Sequence, residues 1–415
     1  MSNLKTYKFS DLYEMSSGIS SKPEQAGSGT HFLSFSTVFK NHFLPENLQD
    51  LMSINEAEMK VYSILEGDIF LTRTSETLDE LGMSSVAVKA YPKASYSGFL
   101  KRLRPIQEGV AYHKYMAFYL RSKLFRKTMT NNAIMTLRAS LNEQIFSYLQ
   151  LILPPYCEQK KIGDFLYQIN LKIELNNRIN TELEAMAKLI YEYWFVQFDF
   201  PFDFAQDKPA DDNSKPLDIK PYKSGGGKMV WNKELKREIP EGWDPDLIEN
   251  ILEKENKTPK VPSSEYELEG EIPIIDQSTD FICGYTNQEN ARIRTSSPRI
   301  VFGDHTRILK LINFDFARGA DGTQVLLSNN SRVPQHYFYQ SLLMIDLSNY
   351  GYARHFKFLK DSKIIQPDLK TSQSFERQAD SWYKSIKQNI FENKQLSSLR
   401  DWLLPMLMNG QVRIL

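Results

Sequence analysis

Several short stretches contain residue types that could do chemistry, but their spacing argues against catalysis. Ser224-Gly225-Gly226-Gly227-Lys228 resembles a phosphate-binding loop, yet Met229 replaces the required Ser or Thr and the glycine spacing differs. Pro245-Asp246 with Glu255-Asn256-Lys257 matches the bare string of a nuclease site. That site needs its Glu and Lys on a strand, whereas ENILEKENK is typical of a helix followed by a charged loop. The glycine run is therefore interpreted as flexible linker, and the second stretch as solvated surface.

The remaining candidates for catalysis are isolated residues. His305 lies beside Asp304 and could be a general base, but no nucleophile or third member accompanies it. The sequence contains no glycine-rich S-adenosylmethionine loop, no Asn-Pro-Pro-aromatic methylation motif and no helicase motif. Cys157 and Cys283 lack the CxxC or clustered histidines of a zinc site, so no metal site is predicted. We expect a chain that is not an enzyme by itself.

Length and composition predict a multidomain globular protein. A chain of 415 residues is too long for one ordinary core, and its 21 Tyr and 25 Phe argue against disorder. It contains no run of 18 apolar residues, and its N-terminus lacks a signal-peptide pattern. Two cysteines in separate segments are expected to stay reduced, as in a cytoplasmic protein.

The net charge is zero, but the charges are distributed unevenly. Between Lys101 and Arg138 nine Lys or Arg stand against one acid, Glu108. Between Glu289 and Lys360 there are ten Lys or Arg and five Asp or Glu. Such local bias is typical of surfaces that meet phosphates.

The element that must position these surfaces is one long helix, predicted at residues 156–200. Alternating steps of four and three residues give an apolar heptad seam with two central asparagines. The seam consists of Ile162, Leu166, Ile169, Ile173, Asn176, Asn180, Leu183, Ala187, Ile190 and Trp194. Aromatic residues end the helix, and we expect Tyr191, Tyr193, Trp194 and Phe195 to pack in a core or against a partner.

A second seam follows 213 residues later and supplies a partner helix. It consists of Phe375, Ala379, Trp382, Ile386, Asn389, Asn393, Leu396, Arg400, Leu403 and Leu407. Both asparagines recur at the same places, and the stem of Arg400 could cover the seam with its head in water. An antiparallel pair would set the asparagines against each other and fix the register. The first seam would span roughly 50 Å, which would suit two major-groove sites about 34 Å apart.

The chain therefore divides into a repeated series of segments. Residues 1–155 form a first α/β domain, 156–200 the first long helix, 201–240 a linker rich in Pro, Asp, Lys and Gly, 241–367 a second domain and 368–415 the second long helix. LILPP closes the first domain and KIIQP closes the second. The predicted fold class is α+β, with two globular α/β domains, two long helices packed as an antiparallel coiled coil, and a pseudo-two-fold internal repeat.

These motifs resemble the specificity (S) subunits of type I restriction-modification systems. The segments LILPPYCEQKKIGDFLYQINLKIELNNRINTELEAMAKLIYEYWFVQFDFP and KPYKSGGGKMVWNKELKREIPEGW look like the central conserved region of that family. ENKQLSSLRDWLLPMLMNGQVRI is similar to its C-terminal conserved helix. GDIFLTRTSETLDELGM and VFGDHTR look like two classes of target-recognition domain. The insert FAQDKPADDNS lengthens the linker, and little sequence follows the second helix to close the structure circularly.

The resemblance implies that the chain is a non-catalytic, DNA-binding subunit of a methyltransferase and type I site-specific nuclease complex. Each recognition domain would read one half of a bipartite, asymmetric DNA site, and the helices would set the spacer and dock two methyltransferase subunits. Restriction subunits would complete the complex. Catalytic sites, with S-adenosylmethionine, ATP and Mg, would belong to the partners, and the complex would act in a bacterial or archaeal cytoplasm.

In this family, loops and strand ends enter the major groove, which implies candidate DNA-binding residues here. In the first domain they are Thr72, Arg73, Thr74, Ser75, Tyr96, Ser97, Lys101 and Arg102, with Lys123, Arg126 and Lys127 as phosphate contacts. In the second domain they are Gly303, Asp304, His305, Thr306, Arg307, Arg318, Asp321, Thr323 and Gln324. The alternative is a coiled-coil scaffold that bridges two proteins without binding DNA.

Overall fold

The computed structural model describes residues 4–20, 23–75, 80–132, 134–135, 139–140, 149–203, 219–253, 258–349, 351 and 354–414. The chain divides into two compact units. Unit 1 contains Met1–Leu175 and Glu392–Leu415, and unit 2 contains Asn176–Phe391. Each unit therefore includes a globular part and a portion of both long helices.

Unit 1 is built mainly from short strands around a few helices. Its strands are β1 (Lys5–Lys8), β2 (Tyr13–Ser17), β3 (Ala26–Leu33), β4 (Asp50–Met52), β5 (Ile69–Thr72), β6 (Thr74–Ser75), β7 (Ser84–Val86), β8 (Ser95–Tyr96), β9 (Leu100–Pro105), β10 (Ile134–Met135), β11 (Ala139–Ser140) and β12 (Gln150–Leu153). Its helices are α1 (Phe9–Leu12), α2 (Phe35–Lys40), α3 (Glu56–Val61), α4 (His113–Tyr119) and α5 (Lys123–Asn132), followed by the long α6 (Tyr156–Tyr191). A capping motif in the local sequence stabilises the start of α3, where Asn55 and Glu58 form a reciprocal capping box.

Unit 2 begins within α6, which continues as a π-helical turn at Glu192–Val196. Its strands are β13 (Pro201–Asp203), β14 (Ile219–Pro221), β15 (Met229–Asn232), β16 (Arg237–Pro240), β17 (Asp244–Leu247), β18 (Ile272–Ile275), β19 (Gly284–Thr286), β20 (Arg292–Ile293), β21 (Arg299–Gly303), β22 (Leu309–Ile312), β23 (Phe316–Arg318), β24 (Thr323–Leu326) and β25 (Lys363–Gln366). Its helices are α7 (Ile248–Ile251), α8 (Gln335–Leu343), α9 (His355–Lys360) and the start of the long α10 (Leu369–Met408). Short 3-10 turns lie at Pro23–Gln25, Ser263–Glu265 and Glu289–Ala291.

The two units repeat one arrangement of strands. In unit 1, β5 lies antiparallel between β7 and β9, while β3 pairs in parallel with β8. In unit 2, β21 lies antiparallel between β22 and β24, while β18 pairs in parallel with β23. The pairs β1–β12 and β17–β25 also correspond. This arrangement confirms the predicted α+β fold with an internal repeat.

The long helices run antiparallel within each unit. In unit 1, Lys161 Nζ donates to the Ile414 carbonyl (3.4 Å), and the ion pair of Lys172 with Glu392 (3.1 Å) lies further along α6. In unit 2, Asn180 is bonded to Asn389, and Trp194 packs on Phe375 with ring centroids 6.2 Å apart. The partner number falls as the α6 number rises, which confirms the predicted antiparallel pair.

Apolar seam residues bury the helices against the globular parts. Ile162 and Leu166 join the core of unit 1, where Leu407 and Met408 of α10 also lie. Tyr191, Trp194 and Phe195 are buried in unit 2 with Phe375 and Ala379, in agreement with the expected packing of the aromatic end. The Arg400 side chain is 16% exposed, and its Nε donates to the carboxylate of Asp401 (2.8 Å), which is 64% exposed.

Two expectations about connecting segments need correction. Residues 201–240 are not simply a surface linker, because β13 pairs with β14 and β15 with β16. The glycine run is an ordered turn: Tyr222 donates from its hydroxyl to the Lys228 carbonyl (2.8 Å), and Gly227 lies so close to the Tyr222 ring that a Cβ would be 2.6 Å away. The insert at residues 204–214 and the string at 255–257 lie outside the described residues.

The C-terminal end packs more closely than the sequence indicated. Leu403, Leu404, Val412 and Ile414 pack against the core of unit 1 that Leu407 and Met408 enter. The segment after the second seam therefore does cover the globular part of unit 1. Neither the long helices nor any other helix among the described residues has the length and apolarity that a membrane crossing requires.

Candidate nucleic-acid interface

Three loops of unit 2 meet at one end of its sheets. Strands β18 and β23 are parallel neighbours, so the loops that follow them, at Asp276–Gln277 and at 319–322, leave from the same edge. The turn between β21 and β22, at 304–308, reaches the same place because Asp304 N–H donates to the Gly322 carbonyl (2.7 Å). The structure thus brings the predicted residues of 303–307 together with those of 321–324.

The exposed side chains of this edge are His305, Thr306, Arg307 and Asp321. They offer both donors and acceptors, as base edges and phosphates require. Arg307 adopts a left-handed backbone conformation (φ 62°), which is uncommon for a residue other than glycine, and its guanidinium donates to the Leu347 carbonyl (3.2 Å). The local backbone is therefore held in a special conformation at the tip of the turn.

Other predicted residues of unit 2 lie inside it. Asp304 is 6% exposed and its carboxylate accepts from Phe356 N–H (2.8 Å) at the start of α9. Arg318 is 9% exposed and donates to the Thr258 carbonyl (2.7 Å). Thr323 is fully buried and Gln324 is half-buried. In this structure Asp304, Arg318 and Thr323 support the edge from within, and contact of these positions with DNA stays a prediction.

Charges at this edge are partly neutralised within unit 2. Lys260 pairs with Asp321 (2.8 Å), and this hydrogen bond and charge lower the pKa of the Asp321 carboxyl. Lys310 is buried and donates to the backbone carbonyls of Asp276 and Asp280. Burial lowers the pKa of Lys310, although the charge of Asp276 opposes that change. Lys310 is thus a structural cation under the edge.

The corresponding edge of unit 1 presents a different pair of side chains. The carbonyl of Phe99 accepts from Arg73 N–H (2.9 Å), as that of Gly322 does from Asp304 in unit 2. Arg73 is exposed, and Phe99 is 66% exposed. Thr74 and Ser75 form β6, but their side chains lie outside the described residues.

Several predicted residues of unit 1 are buried and already bonded. Thr72 is fully buried, and its hydroxyl accepts from Met83 N–H (2.9 Å). The hydroxyl of Tyr96 is bonded to that of Ser16 (2.9 Å), and Lys101 Nζ donates to the Ser17 hydroxyl (2.6 Å). Arg102 donates to the Ser63 carbonyl (2.8 Å). Ser97 is 7% exposed, and its hydroxyl accepts from Phe99 N–H (3.2 Å). In this conformation they shape the edge and present no side chain at it.

The predicted phosphate contacts on α5 divide in the same way. Lys123 and Lys127 are exposed on the helix. Arg126 is half-buried and donates to the Leu81 carbonyl (2.6 Å), so its guanidinium braces the loop before β7. Arg121, also in the basic stretch, donates to four backbone carbonyls, and burial lowers the pKa of its guanidinium to about 10.

Sequence reasoning missed two residues at these edges. Phe99 directly precedes the apolar residue that begins β9 and carries no polar signal, but it is the exposed tip of the turn between β8 and β9. Gln277 follows β18 and is hydrogen-bonded to two loops of unit 2. Its polar type directly after an apolar strand was the only available signal.

The asparagines of the seam lie at the helix contact. Asn389 Nδ2 donates to Asn180 Oδ1 (2.8 Å) within unit 2, and Asn176 is fully buried there. Asn393, in unit 1, is half-buried. Their role in setting the helix register stays a prediction.

Known proteins are similar to this chain over most of its length. Residues 4–185 match the family described as type I restriction modification DNA specificity domain. The specificity subunit of type I restriction enzyme MjaIX from Methanocaldococcus jannaschii is 22% identical over 385 residues, 87% of this chain and 81% of that protein. The HindI specificity subunit from Haemophilus influenzae is 22% identical over 327 residues, 64% of this chain and 70% of that protein.

A solved structure shows the same fold. The S subunit of a type I restriction-modification system from M. genitalium superimposes with a TM-score of 0.58 at 14% identity, covering 98% of this chain and 96% of that one. At this identity the likeness concerns the fold alone. Together with the family match, it confirms the resemblance found in the sequence.

Proposed function

Because residues 4–185 match the type I restriction modification DNA specificity domain, we propose that the chain is the sequence-specific DNA-binding subunit of such a system. Unit 1 and unit 2 each read one half of a bipartite, asymmetric site in double-stranded DNA. The long helices set the spacer between the halves and dock two methyltransferase subunits.

One observation carries this proposal: the same strand arrangement presents different side chains at the same edge. Arg73 and Phe99 occupy the edge of unit 1, whereas His305, Thr306 and Asp321 occupy that of unit 2. To read an asymmetric DNA site, two domains of the same fold must present different side chains to the bases. A scaffold that only bridges two proteins has no need for such variation at the strand ends.

Exposed apolar side chains on the long helices support the docking of protein partners. In unit 2, Leu189 of α6 is 64% exposed, and in unit 1, Trp402 of α10 is 65% exposed. Methyltransferase subunits would cover such residues and would carry the S-adenosylmethionine site. Restriction subunits would carry ATP and Mg, and the whole complex would act in the cytoplasm, where it meets DNA.

Selection from a random duplex library tests the proposal. The chain, co-produced with its methyltransferase subunits, should enrich a motif of two unlike halves separated by a spacer of fixed length. Affinity should fall steeply with salt, because Lys and Arg on DNA phosphates release counterions. Enrichment of no motif, with salt-insensitive binding, would instead favour the scaffold.

A further inference from the structure

One side chain joins the three loops at the edge of unit 2. Gln277 Oε1 accepts from His305 N–H (3.2 Å), and Gln277 Nε2 donates to the Asp321 carbonyl (2.9 Å). The backbone carbonyl of Gln277 accepts from the Thr306 hydroxyl (2.7 Å). A single residue thus binds both loops that carry the exposed polar side chains.

Two glycines make room for this side chain. A Cβ on Gly303 would lie 2.8 Å from Gln277 Cβ, and one on Gly322 would lie 2.9 Å from Gln277 Nε2. Gly322 also has a φ of +85°, which favours glycine. Gly303, Gly322 and Gln277 therefore form one fitted cluster, in which the glutamine occupies space that any other residue at the glycines would fill.

The loop is also fixed from its other side. The carboxylate and carbonyl of Asp304 accept from Phe356 N–H (2.8 Å) and His355 N–H (3.0 Å) at the start of α9. The tip at His305 and Thr306 is thus held between Gln277 and α9. A site held in this way loses less conformational entropy when it binds and places its donors more accurately.

Among the residues that the structure describes, unit 1 has no equivalent of this cluster. Ser97 N–H donates to the Leu33 carbonyl (3.0 Å), and Gly319 N–H donates to that of Ile275 (2.9 Å), so the two registers correspond. The residue two places after the strand is Gln277 in unit 2 and Phe35 in unit 1, where it begins α2 and packs in a core. The contacts of Gln277 with the turn at His305 and Thr306 and with the loop at Asp321, called the clamp below, are therefore a property of unit 2.

We propose that Gln277 is a positioning residue for DNA recognition: it holds the turn at His305 and Thr306 and the loop at Asp321 so that unit 2 discriminates between bases. This inference rests on the proposed function. Without the clamp, the loops would still meet the phosphates, but with less fixed geometry. Specificity at one half-site should therefore fall while non-specific affinity and its salt dependence stay the same.

The experiment is selection from the same random duplex library with the assembled complex, comparing Gln277→Met with the wild type. Methionine keeps the length of the side chain and loses both hydrogen bonds of the amide. We expect discrimination at the unit 2 half-site to fall about tenfold or more, within the range of one mismatched base pair. The unit 1 half-site should stay sharp and serves as an internal control.

Two further variants separate positioning from general damage. Gln277→Glu keeps an acceptor for His305 N–H and loses the donor to Asp321, so it should have an intermediate effect. Gln288→Met is the matched control, because Gln288 is an exposed glutamine of unit 2 whose side-chain amide donates to the Glu265 side chain (2.8 Å), away from the loops at His305 and Asp321. It should leave both half-sites unchanged.

The outcomes distinguish the inference from the proposal beneath it. If the wild type enriches no bipartite motif, the proposed function fails and the clamp with it. If a bipartite motif stays equally sharp in Gln277→Met, the clamp alone is wrong. Equal blurring of both halves, with a lower melting temperature, would show a general structural role and would also overturn the positioning role.

Discussion

One position of the repeat carries a glycine in unit 1 and a glutamate in unit 2. Gly163 of α6 and Glu376 of α10 stand 213 residues apart, the spacing that relates the two seams. Gly163 lies against the start of α4, where a Cβ would be 2.6 Å from the Tyr115 backbone nitrogen. Glu376 reaches the start of α8, where its carboxylate accepts from His336 N–H (3.0 Å) and from the His336 ring at Nδ1 (2.7 Å).

The equivalent contact between a long helix and a short helix therefore depends on close backbone packing in unit 1 and on a charged side chain in unit 2. Neither α4 nor α8 has a capping hydrogen bond from its own N-cap side chain. In unit 1 the backbones touch, and Gln159 of α6 accepts from Tyr112 N–H (2.9 Å). In unit 2 the carboxylate of Glu376 supplies the cap and also meets the positive end of the helix. In each unit, a long helix thus supplies a hydrogen-bond acceptor at the start of a short helix: α6 does so for α4, and α10 does so for α8.

The tips of the two units differ in a similar way. Arg73 of unit 1 points into solvent, whereas Asp304, its counterpart in unit 2, is buried under α9. Phe99 of unit 1 corresponds to Gly322 of unit 2, since each accepts the same backbone hydrogen bond. The edge of unit 1 therefore presents Arg73 and Phe99 to solvent, whereas the exposed residues of unit 2 lie on loops that Gln277 and α9 hold in place.

The largest expected effect comes from breaking the charged contact. Glu376→Ala leaves the amides at the start of α8 and the buried His336 ring without their acceptor. Unit 2 should lose about 2–4 kcal/mol of stability. Hydrogen exchange measured by mass spectrometry should show faster exchange in α8, with α4 unchanged. Glu376→Gln keeps one acceptor oxygen and removes the charge, so it should lose less stability than Glu376→Ala; full stability in Glu376→Gln would argue against a role for the charge.

The projecting side chain of unit 1 gives the next largest effect. Arg73→Ala should cost about 1–3 kcal/mol of discrimination at a single position of one half-site, if the guanidinium binds a base bidentately. Binding to mismatched duplexes measures this. Lys127→Ala is the control, because loss of an exposed phosphate contact should weaken all sequences alike and reduce the salt slope by about 1. A uniform loss in Arg73→Ala would make Arg73 a phosphate contact instead.

A smaller effect is expected from separating the backbones in unit 1. The added Cβ of Gly163→Ala cannot fit against Tyr115 unless α6 moves from α4. Overpacking costs about 1–3 kcal/mol, and better helix propensity returns about 1 kcal/mol, so we expect a net loss of up to about 2 kcal/mol. Hydrogen exchange should increase in α4 and not in α8. Gly351→Ala, where a Cβ meets nothing within 4 Å, is the control; unchanged α4 protection in Gly163→Ala would refute the close contact.

The periodic parts of the molecule were accessible from the sequence. The heptad seam predicted both long helices, and seam residues such as Leu166, Ala187 and Phe375 are fully buried. The apolar runs Ile69-Phe70-Leu71 and Ile300-Val301-Phe302 align in the sequence, and β5 and β21, which contain them, hold the same position in their sheets. These features depend on spacing along the chain, which a sequence displays directly.

Exposure at the candidate site was not accessible in the same way. Lys101 and Arg102 are neighbours on β9, so alternation would expose one of them. Both are buried, because Lys101 bonds to Ser17 of β2 and Arg102 bonds to the carbonyl of Ser63. Those partners are far away in sequence. The roles of Gly163 and Glu376 likewise depend on which helix start each one meets.

The smallest expected effect is a loss of stability at acidic pH, and it should occur in unit 1. His42 packs on Phe118, with ring centroids 5.2 Å apart. Burial, and then the charges of Arg121 and Arg400, lower the pKa of His42 to about 3 from an ordinary value of 6.5. Below pH 6.5 the unfolded chain therefore binds a proton that the folded chain does not. The stability that neutral His42 contributes is full above that pH and is lost as pH falls towards 3.

His42→Phe keeps an aromatic ring against Phe118 and removes the titration. Between pH 6.5 and 5.5 the wild type should lose about 1 kcal/mol of stability in unit 1 that the variant does not lose. Protection factors of α4 amides, corrected for the intrinsic pH dependence of exchange, measure the difference. His305→Phe makes the same change in unit 2 and should leave the unit 1 slope unaltered. Parallel slopes for wild type and His42→Phe would mean that burial and the nearby arginines do not keep His42 neutral.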